Sequence, residues 1–360
     1  MPVAKAAAAK KPRARKATPA VEPLVVAVPD AAPAPASTAA PRRRIWVSGG
    51  SGFVGRAVVR LLVERGDDVT APVRDPRRAE ALAALGATVV EDALTDVRAL
   101  TETLRDFDAG IHAAGDYRVG ITREHRGAMW DANVGLTTRV LDAAEDAHLA
   151  RLVYVSTVAV FGNTHGRVVD ETYRRDLRDG FVSWYDETKY GAHEVVEQRI
   201  ARGGPVVIVQ PSQVYGPGDH TGFGEQLWRA YRGKLAYRAL PGLGVGLVHA
   251  DDLAAGIVAA LDRGRVGESY VLSGPRVTFD EAVAIAAQLG DRKVPFAMPE
   301  PLIRAMRPFG AVIGQPNLRE VLSASLDVTY WASAEKAERE LGFQARSIED
   351  GLRATFFGEP

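Results

Sequence analysis

Two groups of residues in this 360-residue chain have types and spacings that could do chemistry. The first is Tyr185-Asp186-Glu187-Thr188-Lys189. On a helix, positions i and i+4 share a face one turn apart, so a phenol and an ammonium placed there can address one bound molecule. A nearby cation stabilises a phenolate and lowers a pKa that ordinarily sits at about 10, which would let Tyr185 exchange protons near neutrality. The second group is Ser48-Gly49-Gly50-Ser51-Gly52-Phe53-Val54-Gly55, followed at helical spacing by Val58, Val59, Leu61 and Leu62. A strand that turns sharply into a helix uses one glycine for the turn, another where backbone approaches a pyrophosphate and a third where helix packs on strand. The helix N-terminus then holds the anion. Other chemistries are excluded by composition. With no cysteine, thiolate nucleophiles, disulfides and Cys-ligated metals are ruled out, and the seven histidines show no H-x-x-x-H spacing, so no metal site is expected.

These groups need elements to position them. Short β-branched runs at Ile45–Val47, Asp68–Val73, Thr88–Val90, Ala109–Ala113, Arg151–Ser156 and Pro205–Gln210 read as strands. Between them, Phe53–Glu64, Arg77–Leu85, Trp130–Ala147 and Trp184–Arg202 carry helical periodicity. Alternation of this kind, with continuously apolar strands, predicts an α/β fold whose parallel sheet is covered on both faces. Residues 1–44 read differently: nine basic side chains stand against two acidic ones, fifteen residues are Ala and eight are Pro. The segment is expected to be a disordered basic tail, too poor in apolar surface to offset its ordering entropy. Without interleaved aromatics it would bind nucleic acid only weakly, and no apolar run is long enough to span a membrane. The zero net charge of the chain is thus a basic arm joined to an acidic body.

Taken in order, the markers of the body resemble the extended short-chain dehydrogenase/reductases, a superfamily of NAD(P)-dependent epimerases, dehydratases and reductases. The resemblance runs from the Gly49–Gly55 loop through Ile111-His112-Ala113-Ala114, Asn133-Val134-Gly135, Val155 to Gly162, and the Tyr185/Lys189 pair. It continues with Gln210 to Asp219, Val248-His249-Ala250-Asp251-Asp252-Leu253 and Lys336 to Phe343. It implies a Rossmann doubly wound sheet with a smaller, mixed C-terminal substrate lobe. The expected division is 45–214 with 247–262 for the dinucleotide domain, and 215–246 with 263–360 for the lobe. Tyr185 takes the place of the family's catalytic acid/base. Lys189 stands where the family holds the nicotinamide ribose and depresses the tyrosine pKa. The catalytic hydroxyl falls on Thr157, with Ser156 the rival, and Asn133 matches a helix asparagine that supports the site. Gly49, Ser51, Gly52, Phe53, Val54, Gly55, Ala113, Ala114, Pro211 and Val214 match the cofactor lining, and Asp92 stands where an acid bonds the adenine.

Cofactor choice is set at the end of the second strand, where an arginine accepts a ribose 2′-phosphate and an acid bonds the 2′-hydroxyl. Counting 19 residues from Gly55 reaches Arg74, so NADP(H) is expected, with NAD(H) the alternative. In sugar-nucleotide members an arginine that clamps the diphosphate stands four residues before the histidine at 249; here that position is Val245. A valine cannot replace a bidentate phosphate ligand, unless Arg232 or Arg238 substitutes. Ala114-Gly115-Asp116-Tyr117-Arg118 and Arg74-Asp75-Pro76 look like the dihydroflavonol-reductase-like branch. The resulting expectation is a cytoplasmic NADPH-dependent carbonyl reductase or alcohol dehydrogenase acting on a small carbonyl or alcohol, with homodimerisation usual for relatives. A redox-neutral sugar-nucleotide epimerase or dehydratase with bound NAD is the alternative, and a non-catalytic dinucleotide-binding protein is a third reading. His220 would sit at the substrate mouth or on a surface loop. Tyr117, Trp130, Trp184 and Tyr215 would line a pocket or pack in the core, and residues 295–316 would wall the pocket.

Overall fold

The computed structural model describes residues 42–92, 94–240, 242–305 and 317–358. The expected disorder of the tail falls outside these residues up to position 41, but its boundary shifts: Arg44 opens the first strand and the Arg43 guanidinium pairs with Asp262 at 2.6 Å. The strands are β1 (Arg44–Ser48), β2 (Asp68–Val73), β3 (Thr88–Glu91), β4 (Ala109–His112), β5 (Leu152–Val155), β6 (Val206–Pro211), β7 (Gln213–Tyr215), β8 (Tyr237–Arg238), β9 (Gly244–His249), β10 (Ser269–Leu272), β11 (Arg276–Thr278), β12 (Phe296–Ala297) and β13 (Thr329–Tyr330). Seven of them form one parallel sheet in the order β10-β6-β5-β4-β1-β2-β3. This is a Rossmann order with an added edge strand, and its strand sequence reverses between β1 and β4, where such sheets bind ligands.

The helices are α1 (Phe53–Arg65), α2 (Ala79–Ala83), α3 (Val97–Leu104), α4 (Arg126–Trp130), α5 (Leu136–Asp146), α6 (Trp184–Ile200), α7 (Gly222–Tyr231), α8 (Ala250–Arg263), α9 (Phe279–Leu289), α10 (Glu300–Ala305), α11 (Leu318–Ser325), α12 (Glu335–Leu341) and α13 (Ile348–Phe357). Periodicity explains how they cover the sheet. In α1 the buried residues are Gly55, Val58, Val59 and Leu62, a single stripe, and the helix stops at Gly66 with φ +95°, a left-handed cap that glycine adopts without strain. Valines of β1, β2, β5 and β6 pack with α1, α8 and α12 on one face. Trp46, Leu152, Tyr154, Val206 and Ile208 pack with α3, α5 and α6 on the other. A second, mixed sheet has β9 at its centre, antiparallel to β11 and parallel to both β13 and β7. It packs on α7, α9 and α13 around Tyr215, Leu247 and Phe279.

Three local expectations change. Ser269–Leu272, expected within the substrate lobe, is the edge strand of the main sheet, because its buried Tyr270, Val271 and Leu272 pair with β6 in parallel register. The helix expected over Trp130–Ala147 is instead α4, a wide π turn over Asp131–Gly135, and α5. The stretch at Arg77 begins as a 3-10 turn, since Pro76 starts it and the Asp75 carboxylate caps it, and only then passes into α2. Of the expected pocket wall 295–316, residues 306–316 lie outside the described residues, and the rest contributes β12 and α10.

Candidate active site

The dinucleotide cradle follows from what its glycines touch. β1 ends at the buried Ser48, and the chain reverses at Gly49 with φ +73°. A Cβ at Gly49 would stand 2.6 Å from the Ala113 carbonyl carbon and the Ala114 nitrogen, so the ends of β1 and β4 meet only because residue 49 has no side chain. At Gly55 a Cβ would overlap the Gly49 carbonyl, which makes it the glycine of helix-on-strand packing. Gly52 caps α1 without a side-chain bond, and no acid occupies the first turn, so the α1 amides and dipole are suited to an anion. Ser51, Phe53 and Val54 complete this turn, half-buried. Pro211 and Val214 follow at the end of β6 and within β7, the first buried and the second half-buried.

Arg74 lies exposed one residue beyond β2, and no described residue pairs with its side chain. Arg77, by contrast, is held bidentately by Asp75 at 2.9 Å on both nitrogens. Asp92 lies beside this strand end, its amide donating to the Val73 carbonyl at 3.0 Å. One of its carboxylate oxygens is committed to its own turn through the Leu94 amide at 2.7 Å.

The reactive side chains gather at the C-terminal ends of β4 and β5. Thr157 follows β5 and caps the 3-10 turn Val158–Phe161, its hydroxyl accepting from the Ala159 amide at 3.2 Å. Tyr185 stands in the first turn of α6, whose N-cap Ser183 accepts from the Asp186 amide. Burial pushes the Tyr185 phenol well above its ordinary range; Tyr117, Tyr154 and Asp186 push it further, while the Thr157 hydroxyl beside it pulls it down. Ser156 is engaged elsewhere, its hydroxyl bonded to His193 Nδ1 at 3.0 Å. The geometry therefore favours Thr157 over Ser156 as the hydroxyl paired with Tyr185.

Lys189 departs from expectation. It shares the face of Tyr185, but its ammonium donates to the Val155 carbonyl at 3.1 Å, approaches the Tyr154 phenol at 3.4 Å and lies over that ring. A long stem can follow the apolar surface to whichever buried acceptors satisfy the charge, and here these belong to β5. The phenol is raised, not depressed, in this arrangement, and burial lowers Lys189 itself to about 8.

Asn133 sits buried in the π turn with both ends of its amide used. Its oxygen accepts from the Asp116 amide at 2.7 Å, and its nitrogen donates to the Asp116 carbonyl at 3.0 Å and the Thr188 hydroxyl at 2.9 Å. It thereby ties the loop after β4 to α6, and that loop carries Tyr117. The Tyr117 ring meets Tyr185 edge-on with centroids 4.7 Å apart. Half of its surface is accessible, and the burial of the rest raises its phenol. Tyr330 of β13 adds a third phenol, raised first by burial and then by Asp186, Tyr117 and Tyr185. Sequence reasoning missed Tyr330 because no local pattern surrounds it; only the pairing of β13 with β9 brings it here. It missed equally the buried pair of Asp186 and Arg175, 2.7 Å apart, which fastens the segment before α6 to its first turn.

The remaining aromatics divide. Tyr215 is fully buried in the core of the second sheet, and Trp130 and Trp184 face each other across α4 and α6. His220 is exposed on its loop. Val245, at the clamp position, is buried in the apolar core behind β9. Arg238 is paired with Asp280 at 3.7 Å, and Arg232 lies over the Trp228 ring. Among the described residues no helix is long and apolar enough to cross a membrane.

Residues 45–273 match the NAD dependent epimerase/dehydratase family, and the chain belongs to it: an NAD(P)-dependent enzyme of the extended short-chain dehydrogenase/reductase type. Within that class it is similar to a 4-hydroxy-2-methyl-3-oxo-4-farnesyl-3,4-dihydroquinoline-1-oxide ketoreductase of Stigmatella aurantiaca, 33% identical with 86% of this chain and 95% of the relative covered. It is also similar to a 3 beta-hydroxysteroid dehydrogenase/Delta 5-->4-isomerase of Mycobacterium tuberculosis, 27% identical over 84% of this chain and 86% of the relative. Among solved structures, a dTDP-glucose 4,6-dehydratase from Streptomyces venezuelae with bound NAD superposes with a TM-score of 0.70 at 25% identity, covering 87% of this chain and 95% of that one.

Proposed function

We propose that this protein is an NADPH-dependent carbonyl reductase, working in reverse as an alcohol dehydrogenase, on a small ketone or aldehyde. The observation that carries the reading is the Tyr185 phenol with the Thr157 hydroxyl beside it and the Tyr117 ring edge-on against it at 4.7 Å, while the clamp position is the buried Val245. Phenol rings offer flat apolar contact and hydroxyl tips, which suit an uncharged carbonyl compound better than a diphosphate.

When bound, the nicotinamide dinucleotide supplies or accepts the hydride at the carbonyl carbon. The α1 N-terminus with Gly49, Gly52 and Gly55 would hold its pyrophosphate, Arg74 the ribose 2′-phosphate, Asp92 the adenine through its remaining oxygen, and Lys189 the nicotinamide ribose. Thr157 orients the carbonyl oxygen and Tyr185 delivers the proton to it. A phenol raised by burial is fully protonated at neutral pH, as an acid must be before reduction. Asn133 ties the Tyr117 loop to α6 and so holds the Tyr117 ring against Tyr185.

The redox-neutral alternative draws support from the likeness to a dTDP-glucose dehydratase with bound NAD. Purified protein separates the two. The reductase reading expects little retained dinucleotide and steady oxidation of added NADPH with a panel of aromatic and aliphatic ketones. Stoichiometric NAD retained through purification, with no NADPH consumed on any ketone, would overturn it.

A further inference from the structure

Glu320 on α11 is 8% exposed, and burying a carboxyl group is costly unless hydrogen bonds replace the water it loses. The pattern Asn317-x-x-Glu320 marks a helix start: the Asn317 side-chain oxygen accepts from the Glu320 amide at 3.4 Å and caps α11. An acid at this position commonly turns back onto its own helix. Here one oxygen stays local, accepting from the Asn317 side-chain nitrogen at 2.7 Å, but the other leaves the helix. That atom, Oε1, accepts from the Trp184 amide at 3.0 Å and from the Gly120 amide at 3.3 Å. The Arg126 guanidinium lies 3.9 Å from Oε2, and the Asn317 nitrogen also donates to the Ile121 carbonyl at 3.0 Å.

Both amides belong to segments that carry the candidate site. Trp184 is the first residue of α6, where backbone N–H groups have no partner within the helix and a negative charge is favoured. Tyr185 follows it directly. Gly120 stands at φ +82° three residues after Tyr117, at the far end of a loop whose near end, Asp116, is bonded to Asn133. We infer that Glu320 is a positioning residue for Tyr185: its carboxylate clasps the Tyr117 loop to the first turn of α6, so that the Tyr117 ring stays edge-on against the Tyr185 phenol. The loop is then fixed at both ends, by Asn133 at Asp116 and by Glu320 at Gly120. Trp184 is held a second time, since its indole donates to the Arg126 carbonyl at 3.1 Å while the Arg126 guanidinium lies 4.9 Å over the ring. A carboxylate suits the task because its two oxygens have acceptor sites for all four donors, whereas an amide has a single oxygen. The clasp makes the setting of Tyr185 depend on α11 of the C-terminal region, 136 residues along the chain from Trp184. Its bearing on turnover rests on the reading of Tyr185 as the acid, but the geometry it imposes is measurable without substrate.

The test is NMR of the full chain with isotope-labelled tyrosine rings. Ten tyrosines are present, and the signals of two are assigned by their loss in Tyr117→Phe and Tyr185→Phe. Rings in edge contact at 4.7 Å give a through-space cross-peak in the wild type. Glu320→Met keeps the length of the side chain and removes both acceptors. It should abolish that cross-peak and leave the signals of Tyr215 and Tyr270, packed in the cores of the two sheets, unmoved. Glu320→Gln keeps one acceptor oxygen and should leave a weakened cross-peak, so it carries the test if the methionine variant does not fold. A cross-peak of wild-type strength in either folded variant would overturn the clasp. In steady-state kinetics Glu320→Met should lower kcat for ketone reduction by about tenfold and Glu320→Gln by less, with NADPH affinity unchanged because the α1 cradle is untouched. Wild-type kcat in a variant that has lost the cross-peak would overturn the positioning role. Full turnover in Tyr185→Phe would strike the functional reading and with it any role of the clasp in turnover, while the cross-peak still decides the clasp itself.

Discussion

Tyr185, Thr157 and Lys189 make separable demands on experiment. Thr157 contributes a hydroxyl, so Thr157→Ser should retain most turnover, whereas Thr157→Ala should lower kcat by about a hundredfold with little change in NADPH affinity. Ser156→Ala, whose hydroxyl faces His193, should leave the chemical step closer to wild type; equal losses in the two alanine variants would contradict the assignment. Lys189 predicts a pH effect. Burial lowers it from 10.5 to about 8, so between these values the unfolded chain still holds a proton that the folded chain has released. Stability therefore rises with pH through that window, and the cost of the buried ammonium is fully present below it. The Tm of Lys189→Met minus that of wild type should fall as pH is raised from about 7 to about 10. A difference constant across that range would contradict the shift.

The strand-to-helix turns were the most legible elements, because their chemistry is local. Gly49, Gly52 and Gly55 announce the β1 to α1 turn through spacing alone, and the contacts a Cβ would make explain each one. Counting along β2 places Arg74 just past the strand, and its exposed guanidinium, which no described residue pairs, gives the prediction its form. Arg74→Gln should weaken NADPH binding by about tenfold or more and leave NADH nearly unchanged, measured by fluorescence titration. Equal loss for both would remove Arg74 from the 2′-phosphate site. Less legible was the break in the helix around Asn133. Periodicity continues through Asp131–Gly135, and only the three hydrogen bonds of the Asn133 amide to Asp116 and Thr188 show why a wide turn is kept there. The fate of Lys189 was hidden for a similar reason: helical spacing fixes its face, but the acceptors on β5 fix where its ammonium goes.

Long-range assembly decides what sequence could not show. The parallel alternation predicted the main sheet, yet β10 joins it from beyond the second sheet, and a short apolar run carries no sign of which sheet it will enter. Tyr330 is placed by the pairing of β13 with β9, and Arg175 reaches Asp186 across a loop; neither has a marker in its neighbourhood. The Arg175 and Asp186 side chains are almost wholly buried, so Asp186→Asn should cost about 3 to 5 kcal/mol by leaving one charge without its partner. A denaturant midpoint within error of wild type would show that this pair does not hold the segment before α6. The central claim, a carbonyl reductase whose acid is Tyr185, is tested most directly by counting NADPH oxidised per alcohol formed from an aromatic ketone such as acetophenone, in wild type and Tyr185→Phe. The account predicts one NADPH per carbonyl in wild type and a loss of turnover of about a thousandfold in the variant. Full turnover in Tyr185→Phe, or product formed without NADPH oxidation, would contradict it.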